Sequence, residues 1–215
     1  MPSSEEQRNQ TAYDRIGPQW AAARNGFFGQ ERTFLDALLE GLPASSLILD
    51  AGCGAGRPMA EAVVARGHRV LGVDQSRVLL DLARQRLPGE RWVLCPLTDY
   101  DFGGAGGERD AVRGIICWDA LFHIPRQRHQ ELLRRMACRL APGGRLMLTS
   151  GGSEHPPFTD EMFGEEFFYD SHPPQTLRSI VRGLGLQVLM DEFLNPPTTG
   201  RDKGRYALLA QKAGS

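Results

Sequence analysis

Leu47-Ile48-Leu49-Asp50-Ala51-Gly52-Cys53-Gly54-Ala55-Gly56-Arg57 is the stretch that decides the fold. A short apolar run ends in a carboxylate and enters a turn with glycine at every second position. An amphipathic segment then begins. This order predicts strand, tight loop and helix, the loop allowing a ligand to approach the backbone closely. A dinucleotide loop asks for Gly-x-Gly-x-x-Gly, with phosphate at the helix N-terminus. Here Gly56 comes one residue early, and Arg57 takes the place that pattern gives to glycine. Asp50 would also face a pyrophosphate as one anion against another. Its charge suits a ligand that carries positive charge.

Outward from the loop, apolar runs and helical periodicity alternate. Helices are predicted over 11–24 and 30–40, a strand over 46–50 and a helix over 57–66, where Met59, Ala60, Val63 and Val64 share a face. A strand over 70–73 ends at Asp74, a helix covers 77–87, and a short strand over 92–95 is cut by Pro96. After a glycine-rich loop, 103–107, come a strand at 115–117, a helix over 127–140 and a strand over 145–149. Residues 151–174 read as a loop rich in glycine, proline and aromatics. A helix (175–184) and strands at 186–191 and 205–211, joined by a proline-rich loop, close the chain. Strands alternating with helices imply an α/β fold, a mostly parallel sheet with helices on both faces. The last two strands have no helix between them, which predicts one antiparallel strand in the edge region.

The 215 residues suffice for one domain with a full core. Hydrophobic residues make up 41% and charged residues 24%, an ordinary globular balance. A net charge of −1 supplies no field for nucleic acid or an acidic membrane. The polar start, with Glu5 and Glu6, does not read as a signal peptide, and no apolar run approaches a membrane span. Cys53, Cys95, Cys117 and Cys138 are scattered without C-x-x-C spacing, so reduced thiols in a cytoplasmic protein are expected and no metal site. The arginines at 126, 128, 134, 135 and 139 read as a solvated helix face.

Asp74 stands at a strand end, where ligands of open α/β sheets bind and where a carboxylate can accept both hydroxyls of a ribose. Gln75 follows it, and Ser76 is placed to cap the next helix. Together the glycine loop and Asp74 resemble the first motifs of class I methyltransferases, whose cofactor S-adenosylmethionine carries an ammonium and a sulfonium and no phosphate. Gly114 through Pro125 resembles the fourth motif of the small-molecule members, in particular a bacterial subgroup with tryptophan-aspartate and then phenylalanine-histidine. Nucleic-acid amino methylases show Asn/Asp-Pro-Pro-aromatic there, and this chain does not. Leu140 to Leu146 is similar to the family's turn before the fifth strand, and Tyr13-Asp14 with Trp20 and Arg24 resembles its N-terminal lid helix.

The resemblance implies a Rossmann-like seven-stranded sheet in a single methyltransferase domain over 1–215. Lid helices would occupy 1–42, the cofactor core 43–150, and an acceptor-site loop with the last strands 151–215. It implies S-adenosylmethionine as cofactor, S-adenosylhomocysteine as product, and a small-molecule acceptor attacked through O, N or S. Cofactor contacts are expected from Tyr13, Asp50, Ala51, Gly52, Cys53, Gly54, Gly56, Asp74, Gln75, Leu97 and Cys117. Acceptor contacts are expected from Trp20, Trp118, His123 and Tyr169. In relatives position 96 is an acid that accepts from the adenine amino group. Pro96 breaks that pattern, leaving backbone near Leu97 or Asp99 as readers. His123, Tyr169, His155 and His172 are candidates for a base if the acceptor is a hydroxyl. For His123 a structural job is favoured, since histidine here recurs in relatives with unlike substrates. Trp118 also reads as core, and Asp119 as a cap. A nucleotide-binding oxidoreductase, a non-catalytic cofactor-binding module and a macromolecule methylase are the alternatives. Oligomeric state is left open.

Overall fold

The computed structural model describes residues 2–103, 111–196, 198 and 204–214. The chain runs α1 (Ser4–Ala23), α2 (Glu31–Leu39), β1 (Leu47–Ala51), α3 (Met59–Ala65), β2 (Arg69–Asp74), α4 (Arg77–Arg86), β3 (Arg91–Leu94) and β4 (Val112–Cys117). Two 3₁₀ turns, Leu121–His123 and Arg126–Arg128, lead into α5 (His129–Arg139). Then follow β5 (Leu140–Ser150), β6 (Phe158–Met162), β7 (Glu165–Tyr169), α6 (Pro174–Gly183), β8 (Leu186–Asn195) and β9 (Arg205–Lys212).

Seven strands form one sheet in the order β3-β2-β1-β4-β5-β9-β8. The first five are parallel, and β9 runs antiparallel to both its neighbours, β5 and β8. The expected antiparallel strand is therefore β9, one place in from the edge. Side chains alternate between two cores, as the period of a pleated strand requires. Leu47, Leu49 and Ala51 of β1, Leu146 and Leu148 of β5, and Leu208 and Ala210 of β9 pack with α5 and α6. Ile48, Met147 and Leu209 point the other way, against Phe34, Leu35 and Leu38 of α2 and Ala60 and Val63 of α3. The sheet is thus covered on both faces, and its carboxyl ends open toward α1.

Three expectations need correction. First, α1 begins at Ser4, well before residue 11. Ser3 caps it: the Glu6 N–H donates to Ser3 Oγ (3.2 Å), while the Ser3 N–H donates to Glu6 Oε2 (2.9 Å). This is the Ser-x-x-Glu capping box, which satisfies helix-end donors without any apolar periodicity. Second, the segment 151–174 holds a hairpin, β6–β7, turned at Phe163-Gly164 with positive φ at both residues (53° and 83°). Its second strand shows no alternation because Phe167 and Phe168 are both buried, at 0% and 8% exposure. Third, β5 starts at Leu140 rather than 145, and its register with β4 shifts between Val112 and Gly114. Pro142 is tolerated at such an irregularity because no regular ladder bond is asked of its nitrogen. The predicted loop 103–107 lies, beyond Gly103, outside the described residues.

All four cysteines are free. Among the described residues there is no group of three or more metal-ligating side chains, and no helix is long and apolar enough to cross a membrane.

Candidate functional site

A pocket of about 950 Å³, including its open mouth, lies where α1 crosses the carboxyl ends of β1, β2 and β4. Of the residues singled out in the sequence, Tyr13, Trp20, Asp50, Gly52, Cys53, Gly54, Asp74, Gln75, Leu97, Trp118 and His123 line it. Ala51, Gly56, Cys117, Tyr169 and His155 do not. Ala51 and Cys117 point into the core, at 0% exposure. Gly56 faces Ala83 and the Trp92 ring, which a Cβ would meet at 3.3–3.4 Å.

The glycine loop is shaped by close approach. Gly52 has φ +84°, and a Cβ there would stand 2.3 Å from the Ala120 Cβ. Gly54 has φ +53° and nothing closer than Trp20 Nε1 at 4.0 Å, so its bare backbone faces open pocket. Asp74 holds the loop: the Gly54 N–H donates to its Oδ2 (2.8 Å) and the Ser76 N–H to its Oδ1 (2.8 Å). An ionised carboxylate has about four acceptor positions, so Asp74 keeps capacity for a ligand. Ser76 caps α4 as expected, accepting from the Leu79 N–H at 3.2 Å, and its hydroxyl donates to Asp14 (2.6 Å), which docks α1 on α4.

Asp50 is 3% exposed, lines the pocket and meets no hydrogen-bond donor among the described residues. Burial, with the nearby Asp74 charge, raises its carboxyl to about 7. Burial also raises Asp74, against the N–H groups of Ser76 and Gly54. Two carboxylates with unmet accepting capacity in one cavity are costly unless a donor or cation arrives.

The opposite wall is saturated. His123 Nδ1 lies 2.9 Å from the Phe168 carbonyl, which can only accept, so that nitrogen carries the proton. Nε2 then accepts from the Tyr13 hydroxyl at 2.9 Å. Burial lowers His123 to about 4, against the pull of the Phe168 carbonyl, so the ring is neutral near pH 7. Burial and the neighbouring Tyr169 push the Tyr13 hydroxyl well above its ordinary range, so it remains a donor. Asn9, fully buried, clasps the same wall: it donates to the carbonyls of Phe168 (3.0 Å) and His123 (3.3 Å) and accepts from the Phe168 N–H (2.8 Å).

The other candidate bases do not converge. Tyr169 packs behind His123, ring centroids 4.9 Å apart, and stacks on Phe158. Burial pushes its hydroxyl to about 12. His155 is turned to its neighbour's carbonyl, that of Pro156 (2.8 Å), and His172 Nε2 to the Arg126 carbonyl (3.1 Å).

Asp119 does not cap the turn that follows it. Its carboxylate receives Arg205 through two nitrogens (2.7 and 2.6 Å) and the Thr149 hydroxyl (3.2 Å). Arg205 also bonds Glu31, which in turn takes both guanidinium nitrogens of Arg24 (2.8 and 2.9 Å) and Trp118 Nε1 (3.2 Å). Trp118 is 5% exposed and packs on Phe34, so it is both core and pocket wall. This quartet ties α1 and α2 to the ends of β4 and β9. Sequence reasoning missed Glu31 and Arg205, which are far apart along the chain with no shared motif. It missed Glu6 as a lining residue, although Ser3-x-x-Glu6 was a legible helix start.

Part of the chain matches a family of known proteins. Residues 48–144 match the family described as methyltransferase domain. The chain is 26% identical over 130 residues to a ubiquinone biosynthesis O-methyltransferase of Coxiella burnetii, covering 60% of this chain and 53% of that protein. It therefore spans about half the length of the curated relatives it matches. Among solved structures it resembles Burkholderia thailandensis 1,6-didemethyltoxoflavin-N1-methyltransferase, bound to 1,6-didemethyltoxoflavin and S-adenosylhomocysteine. The TM-score is 0.67 at 21% identity, over 94% of this chain and 85% of that one. Magnesium protoporphyrin IX methyltransferase from Synechocystis PCC 6803, with bound S-adenosylmethionine, gives a TM-score of 0.70 at 17% identity over 98% of both chains. These two likenesses establish the fold.

Proposed function

We propose that this chain, whose residues 48–144 match a methyltransferase domain, is a class I S-adenosylmethionine-dependent methyltransferase that transfers a methyl group to a small-molecule nucleophile. The observation that carries this reading is Asp50. It is a buried carboxyl without a donor, facing a pocket beside a glycine loop and a second carboxylate. A nucleoside with an amino-acid ammonium supplies what both carboxylates lack. The proteins it resembles were solved with such nucleosides, and the relatives' names point to small acceptors.

In this reading Asp50 and the loop backbone hold the amino-acid end, and Asp74 accepts from the ribose hydroxyls. When bound, S-adenosylmethionine supplies an electrophilic methyl on a sulfonium that is already a good leaving group. Trp20 and Tyr13 of α1 cover the pocket and exclude water. The protein's task is to hold nucleophile and methyl about 3–3.5 Å apart and in line. His123 keeps Tyr13 in place through a neutral ring whose two nitrogens are both engaged. Among the described residues the one histidine lining the pocket is engaged at both nitrogens and the Asp50 and Asp74 carboxylates are given to the cofactor, so the site suits an acceptor that is nucleophilic without help from a protein base, such as a carboxylate, a thiolate or a ring nitrogen.

The test is thermal and then chemical. S-adenosylhomocysteine should raise the melting temperature and NAD should not. A metabolite extract incubated with methyl-labelled cofactor should yield a labelled small product. Stabilisation by NAD alone would reject the reading in favour of an oxidoreductase. Stabilisation by S-adenosylhomocysteine with no labelled product from extract, protein or nucleic acid would favour a non-catalytic binding module.

A further inference from the structure

The pocket extends past Asp74 toward the end of β3, where its lining is Gln75, Leu97, Ile124 and Glu6. A nucleoside whose ribose rests on Asp74 places its base there, because β3 is the next strand beyond β2. Position 96 is proline, with no N–H and no polar side chain, and its carbonyl already accepts from the N–H groups of Asp99 (3.0 Å) and Tyr100 (2.9 Å). Neighbouring carbonyls are engaged as well. Gln75 O accepts from Gln10 (3.0 Å), Thr98 O from Arg135 (2.9 Å) and Ile124 O from His129 (2.8 Å).

Glu6 is different. It is 2% exposed although it lies in the first turns of α1. Its Oε2 takes two donors, the Ser3 N–H (2.9 Å) and Arg128 Nη1 (2.6 Å), while Oε1 takes one, the Thr98 hydroxyl (2.6 Å). One acceptor position on Oε1 is therefore left, on a carboxylate whose orientation is held from three sides. We infer that Glu6, carried across from the N-terminal helix, reads the exocyclic amino group of the cofactor's adenine through Oε1. This rests on the cofactor reading above. The carboxylate that recognises the base then comes from α1 and not from the β3 loop, so docking of α1 and selection of an amino-purine are one event.

The experiment compares two ligands on the full chain by calorimetry. One is S-adenosylhomocysteine; the other is its 6-deamino analogue, with hydrogen in place of the amino group. A hydrogen bond to a charged acceptor predicts that wild type binds the analogue about 10- to 100-fold more weakly. In E6Q the ratio should shrink by about fivefold or more, since a neutral acceptor replaces a charged one. The ratio is read within each folded protein, so general weakening from the altered helix cap cancels. A folded E6Q that keeps the wild-type ratio overturns the assignment and leaves the cofactor reading standing. A wild-type ratio near one overturns it without any variant. A wild type that binds neither nucleoside defeats the cofactor reading itself, and the two failures are thereby told apart.

Discussion

Each of the two walls of the pocket holds a buried titratable group with a displaced pKa, Asp50 on one and His123 on the other, and the two are in opposite conditions. On the glycine-loop wall Asp50 has no donor among the described residues, and burial raises it to about 7. On the hairpin wall His123 has both nitrogens paired, and burial lowers it to about 4. Burial disfavours the charged form in both, but only the first retains hydrogen-bonding capacity toward the cavity. A group left unmet at a pocket wall is spent on a ligand; a group fully met inside the protein is spent on holding the fold. Perturbation of a pKa alone does not tell the two apart, and the partner inventory does.

The contrast can be broken hardest at the loop. Gly54→Val puts a β-branched side chain at φ +53° and into open pocket. It should abolish measurable binding of S-adenosylhomocysteine, and near-wild-type affinity would show that the loop does not face the ligand. Asp74→Ala should cost about 1.5–3 kcal/mol of affinity in a protein that remains folded, from lost charge-assisted bonds to ribose. Titration calorimetry checks this, and unchanged affinity would remove Asp74 from the site.

The pH response sharpens the comparison. Asp50 must be ionised to hold an ammonium, so affinity should rise up to about pH 7 and then level off. Below that it should fall by up to about tenfold per pH unit. At pH 6 binding should release protons, detectable as a dependence of the binding enthalpy on buffer, and Asp50→Asn should abolish that dependence. The free protein should respond with the reverse sign. Asp50 has a higher pKa folded than unfolded (~3.9), so its burial penalty grows as pH rises from about 4 to about 7 and stays constant above. A binding curve flat from pH 5 to 8 would place the ligand's cation elsewhere.

The smallest effect on binding is expected on the paired wall. His123→Asn should leave cofactor affinity within about threefold while lowering stability by about 1–3 kcal/mol, because the Phe168 carbonyl and Tyr13 hydroxyl lose a partner. At this chain length that is a fall of several degrees in melting temperature, about 2–4 °C per kcal/mol. If the variant melts like wild type, binds normally and loses about 10²–10⁴-fold in turnover, His123 is a base and the contrast between the walls fails.

What the sequence determined by itself was local. Strand, glycine loop, helix and a carboxylate at the next strand end lie within one stretch of chain, and short apolar runs between helical segments named the strands of the sheet. The Ser76 cap was legible for the same reason, its capping bond to the Leu79 N–H reaching only three residues. Whatever depends on distant pairs came only with the tertiary structure. Phe167 and Phe168 escape the alternation rule because neighbouring side chains of β7 are both buried by the fold. Asp119 looked like a cap because its partner Arg205 is 86 residues away. Glu6 figures in the sequence only as part of a polar start; Thr98 and Arg128, 92 and 122 residues downstream, close on it in the folded chain. Hydrogen bonds and ion pairs leave no periodic trace along the chain. Sequence pattern reports which residues avoid water, and only the folded chain decides which buried polar groups have found one another and which still face the cavity.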